Sequence, residues 1–71
     1  MTQEEATEHN EKVIRNIIIT LIKSRLVDPV RLITDKAYAT EQVMTYIQAA
    51  NITREMLHMP KLYLIDTNKI D

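Results

Sequence analysis

Neither cysteine nor glycine occurs anywhere in the 71 residues. Without cysteine there are no disulfides, no thiolate metal sites and no thiol nucleophile. Without glycine, tight two-residue hairpins lose their favoured residue, and glycine-rich phosphate cradles are excluded. Average usage is about 7% glycine, so its absence points to helices joined by short turns of Asn, Asp and Pro. Long apolar runs are missing too. The longest aliphatic run is Ile17-Ile18-Ile19, against the roughly 20 residues that a membrane span needs. The opening Met1-Thr2-Gln3-Glu4-Glu5 is acidic, where a secretory signal starts basic and then turns apolar. These absences set the expectation of a cytoplasmic protein that makes no use of a membrane.

A chain of 71 residues forms one domain, residues 1–71. A core this small leaves little net stability once the entropy of ordering the chain is subtracted. With disulfides excluded, good helix packing or a second subunit remains to supply it.

The net charge of −1 is unevenly spread. Residues 1–12 set Glu4, Glu5, Glu8 and Glu11 against Lys12, a balance of −3. Residues 13–36 set Arg15, Lys23, Arg25, Arg31 and Lys36 against Asp28 and Asp35, a balance of +3. Acids at a helix start and bases further along complement the helix dipole. The same bases are the raw material of a nucleic-acid footprint, diluted by two acids.

The first helix is expected over residues 3–26. Thr2 with Glu5 three positions later is a capping box. Apolar residues then recur at Val13, Ile14, Ile17, Ile18, Leu21, Ile22 and Leu26. At about 100° per residue, Ile14, Ile17, Ile18, Leu21 and Ile22 share an arc of about 140°. Ile19 and Leu26 fall outside it and widen the apolar surface past half the circumference. Residues 3–12 have only Ala6 as an apolar residue, so they are expected to fray or project into solvent.

Asp28-Pro29 ends this helix and starts the next, with Asp28 as N-cap and Pro29 at the first helical position. The second helix is expected over residues 29–38, with Val30, Ile33, Ala37 and Leu32 inward. Thr40 would cap a third over 41–50, through Val43, Met44, Ile47 and Ala50. Asn51 reads as a turn residue. Thr53 would cap a fourth over 54–58, closed by Pro60. The expected class is therefore all-α: a small bundle of one long and two to three short helices with an extended C-terminal tail over 61–71. Within that tail, Lys61-Leu62-Tyr63-Leu64-Ile65-Asp66 is β-prone and lacks helical period. A lone strand cannot satisfy its own backbone. It must lie as an arm on the helices or pair with another copy or a partner.

Catalytic equipment is thin. Ser24 is the only serine and sits between Lys23 and Arg25 inside a helix, with no elbow to present it. Glu5 and His9 share a helix face, but two ligands without the usual partners make no metal site. No metal, cofactor or small-molecule substrate is expected. The most specific motif is a helix-turn-helix over residues 40–59, with Val43, Ile47, Ile52 and Leu57 as its seam. Arg54, His58 and Lys61 would then approach nucleic acid, with Arg15, Lys23, Arg25 and Arg31 as a second basic set. Against it stand Glu55, which phosphate repels, and the glycine-free turn. Met44, Met56 and Met59, with Tyr46 and Tyr63, suit either core filling or an adaptable binding face.

The sequence thus favours a small non-enzymatic regulatory or adaptor protein acting by protein–protein interaction, as a homodimer that docks on a larger partner. The expected interface residues are Ile14, Ile17, Ile18, Ile19, Leu21, Ile22, Leu26, Leu62, Tyr63 and Leu64. The alternative is a DNA-binding transcription regulator using residues 40–59. A structural subunit makes the same surface demands as the first reading.

Overall fold

The structure, a computed structural model, describes residues 1–69. It is all-α: α1 (Gln3–Ser24), α2 (Pro29–Thr34) and α3 (Lys36–Met56), followed by an extended tail and a 3-10 turn at Thr67–Lys69. The all-α class is as the sequence indicates, and so is the extended tail up to the 3-10 turn, while residues 70–71 of the expected tail lie outside the described residues; the helix lengths differ. Two helices are long and one is short.

α1 starts on the expected capping box. The Thr2 hydroxyl accepts from the Glu5 N–H, and the Glu5 carboxylate accepts from the Thr2 N–H. The helix ends earlier than expected, at Ser24, because Arg25 turns left-handed with φ 60 and donates its N–H to the Ile22 carbonyl. Leu26 therefore lies beyond the helix, and its place on the helical wheel is corrected. Its neighbour Val27 turns inward and joins the core.

The second and third helices are divided by one residue. Asp35 is the C-cap of α2 and the N-cap of α3, and its carboxylate accepts from the Tyr38 N–H. This corrects the boundary expected near Tyr38. From Lys36 to Met56 no proline or glycine interrupts the chain, so nothing stops the helix at Thr40, Asn51 or Thr53. The corner expected at Ala49, Ala50 and Asn51 is absent, and residues 40–56 are one unbroken helix. The seam proposed between its halves is absent with it: Ile52 and Leu57 are exposed. Of the residues expected inward here, Leu32 packs on the core as expected, while Val30 and Ile33 of α2 and Ala37 of α3 face solvent.

α3 closes with a Schellman motif. The Met59 N–H reaches the Arg54 carbonyl at 2.8 Å, and the His58 N–H reaches Glu55 at 3.2 Å. That motif puts its C′ residue in left-handed geometry, normally a glycine. Here His58 takes it, with φ 56.

The core is Ile17 and Leu21 of α1, Val27, and Val43 and Ile47 of α3. Burying each of these side chains contributes roughly 1.5–3 kcal/mol. The molecule extends 37 × 33 × 16 Å. A 22-residue helix is about 33 Å long, so both in-plane dimensions match one long helix. The thickness fits two stacked helices. α1 and α3 meet where Ile17 and Leu21 join Val43 and Ile47 in the core. The tail fills the quadrant between the N-terminal half of α1 and the C-terminal half of α3. Residues 3–12 consequently do not project free of the fold: Ala6 is fully buried, and Gln3 donates to the Thr67 carbonyl.

Candidate functional site

The tail lies as an arm on its own helices, and two asparagine side chains stand in for the missing strand neighbour. Asn51 of α3 donates to the Leu62 carbonyl at 2.9 Å and accepts from the Leu62 N–H at 2.7 Å. Asn10 of α1 does the same for Ile65, at 2.8 and 2.7 Å. A primary amide offers a donor and an acceptor side by side, as a paired strand does. His9 Nε2 lies 3.2 Å from the Tyr63 carbonyl. A carbonyl only accepts, so this nitrogen carries the proton. The two rings stack with centroids 4.6 Å apart. Arg54 donates to the Pro60 carbonyl and steadies the start of the arm.

Leu62 and Leu64 both pack against the core. Residues two apart on an extended chain share a face, so Tyr63 points the other way and is exposed. Leu62 borders a crease with Val13, Ile17, Tyr46 and Arg54. Leu64 borders another, about 140 Å³, with Ile14, Ile18, Val43 and Met44.

The expected interface residues are thereby divided. Ile17 and Leu21 are core, and Ile14, Ile18, Leu62 and Leu64 are half-buried against it. These six serve the chain's own fold. Ile19, Ile22, Leu26 and Tyr63 are exposed. With Val30 and Ile33, which the sequence places inward, Ile19, Ile22 and Leu26 make an apolar run in residues 19–33; Leu26 is 84% exposed and Ile33 86%.

The basic residues are not gathered into one site. Arg31 lies 4.0 Å over the Tyr38 ring and 3.5 Å from the Asp35 carboxylate. Tyr38 in turn accepts the Asp28 N–H on its hydroxyl. The Tyr38 N–H holds the Asp35 carboxyl below its ordinary range; partial desolvation opposes this and Arg31 reinforces it. Lys61 pairs with Glu55 at 3.6 Å. Arg15 shares an open crease on α1 with Glu5, Glu8 and Glu11. Lys23, Arg25 and His58 are exposed. Among the described residues, no group of three or more His, Asp or Glu side chains is placed to hold a metal, and no helix is long and apolar enough to cross a membrane.

Sequence reasoning missed both asparagines. Asn51 reads as a turn residue and Asn10 as a solvated one. The available signal was the tail itself: a β-prone segment without a strand partner needs amide-bearing neighbours.

No family model, curated protein or solved structure matches this chain.

Proposed function

We propose that this chain is a non-enzymatic regulatory or adaptor protein of the cytoplasm that works as a homodimer docking on a larger protein. The observation that carries the reading is an excess of exposed surface. A compact monomer of 8.3 kDa exposes about 4,600 Å² by the usual scaling with mass. This chain exposes 5838 Å². The difference, about 1,200 Å², exceeds the roughly 800 Å² that each partner contributes to a standard interface. The proposed dimer face is Ile19, Ile22 and Leu26, extended by Val30 and Ile33.

Light scattering or native mass spectrometry tests this directly. The wild-type chain is expected to be a dimer at micromolar concentration. Ile22→Glu with Leu26→Glu is expected to be a monomer with unchanged helical circular dichroism, because both side chains are already outside the core. A wild-type monomer at tens of micromolar overturns the dimer. A larger protein that co-purifies with wild type and is lost with Leu26→Glu supports docking through this face.

The DNA-binding alternative has less support. The helix over residues 40–56 has no turn, and Arg54, Arg31 and Lys61 are engaged by Pro60, Asp35 and Glu55. Absence of a mobility shift with duplex DNA at low salt would end it.

A further inference from the structure

The quadrant filled by the tail has the properties of a receptor for an extended backbone. Asn10 and Asn51 each read one N–H and one C=O, groups that every non-proline residue carries. The side-chain requirement is two apolar residues two apart, which Leu62 and Leu64 supply. Every one of these contacts is made by residues 62–65. None requires that the segment belong to the same chain as the groove.

The connection between α3 and the arm is short and exposed. Leu57, His58, Met59 and Pro60 all face solvent. It reverses direction through the left-handed His58, a geometry that is sterically unfavourable for a residue with a Cβ. If the connection opens, that residue is free to leave the left-handed region, and the arm can reach away from its own groove. Elements joined to the rest of a fold by such a hinge are the ones that copies exchange.

We propose that the groove between α1 and α3 binds the arm of a second copy, so that two chains exchange residues 62–65 reciprocally. The occupant is a second copy because the segment already seated there is this chain's own sequence, held by contacts that are the same in trans. A short connection keeps the arm at an effective concentration of roughly millimolar in its own groove. Exchange therefore emerges when the internal pairing is disabled or when the chain is very concentrated. This assembly is independent of the Ile19, Ile22 and Leu26 face.

The test uses two full-length variants, both carrying Leu26→Glu to silence that face. One also carries Leu62→Asp and Leu64→Asp, which spoils the arm and leaves the groove intact. The other carries Asn10→Ala and Asn51→Ala, which spoils the groove and leaves the arm intact. Only an exchanged pair brings a sound groove and a sound arm together. Native mass spectrometry of the mixture is expected to show at least tenfold more heterodimer than either homodimer. A mixture with no such excess, from variants that remain helical, overturns the proposal.

Should either variant fail to fold, cysteine trapping decides instead. His9→Cys and Tyr63→Cys each leave the amide pairs and both leucines in place. Their separate chains, each also carrying Leu26→Glu, are mixed under oxidising conditions at or above a roughly millimolar concentration, where a second copy's arm competes with the chain's own. They are expected to form the mixed disulfide at least tenfold faster than either symmetric one. Equal rates would refute exchange.

Discussion

Replacing Asn51 with alanine isolates what the asparagine amides do. The change removes both hydrogen bonds to Leu62, one to its N–H and one to its C=O. Each such bond contributes about 0.5–1.5 kcal/mol net, so the pair contributes about 2 kcal/mol. Alanine is the better helix former at this interior position of α3, which returns about 0.6 kcal/mol. The expected loss is about 1.5 kcal/mol. For a domain of this size that is a fall in Tm of roughly 6–12 °C. Thermal melting followed by circular dichroism measures the loss, and amide hydrogen exchange at Leu62 locates it. Asn10→Ala should cost a similar amount at Ile65. The double variant should cost less than the sum, because an arm already detached by one change has little left to lose from the other. The reasoning is refuted if Asn51→Ala melts within 2 °C of wild type while the Leu62 amide stays protected.

Two other perturbations probe the helix ends. His58→Gly places the residue that tolerates left-handed geometry at the C′ position of α3, and glycine's extra freedom in the unfolded chain offsets part of the gain. Stability should rise by about 0.5–1 kcal/mol, read as a Tm increase of roughly 2–8 °C; a decrease would show that the imidazole contributes something the backbone geometry does not explain. The Asp35 carboxyl titrates below its unfolded value, chiefly because it accepts the Tyr38 N–H. Its contribution is therefore complete above the unfolded pKa and is lost as pH falls through the folded one. Asp35→Asn keeps a capping oxygen but removes the titration, so its stability should fall less than that of wild type under acid; parallel curves in urea denaturation at successive pH values would contradict the assignment.

The parts of the fold that were legible in the sequence are those written locally. Thr2 with Glu5 gives the α1 start, and Asp28-Pro29 gives the α2 start, because a cap and its amides lie within a few residues. The spacing of Ile17 with Leu21, and of Val43 with Ile47, marks apolar helix faces for the same reason, and the structure is what assigns those faces to the core and not to an interface. Three readings depend on more than local pattern. Asp35 ends one helix and begins the next, and either role alone is ambiguous beside Thr40. Asn51 is a turn former by propensity, yet at this position its amide is used by a segment 11 residues away. Leu26 keeps helical spacing, but Arg25 has already left the helix. The candidate surface was half legible. Ile19 is exposed as its place outside the arc suggests, but Ile22 is exposed although it lies within the arc, and Leu26 is exposed because it lies past the helix end. The packing of Leu64 beside Ile14 and Ile18 could not be read without the path of the arm.

The Asn10–Ile65 pairing joins residues 55 positions apart. α1, α2 and α3 are built from near neighbours, whereas the arm docks on α1 and α3 together and so needs both of them in place. Contacts this distant form late, because the intervening loop must close before they reward it. Until residues 62–65 dock, Ile14 and Ile18 lack the side chain of Leu64 beside them. The arm shields part of the first helix, so the folding chain passes through a sticky stage that ends only when the arm docks.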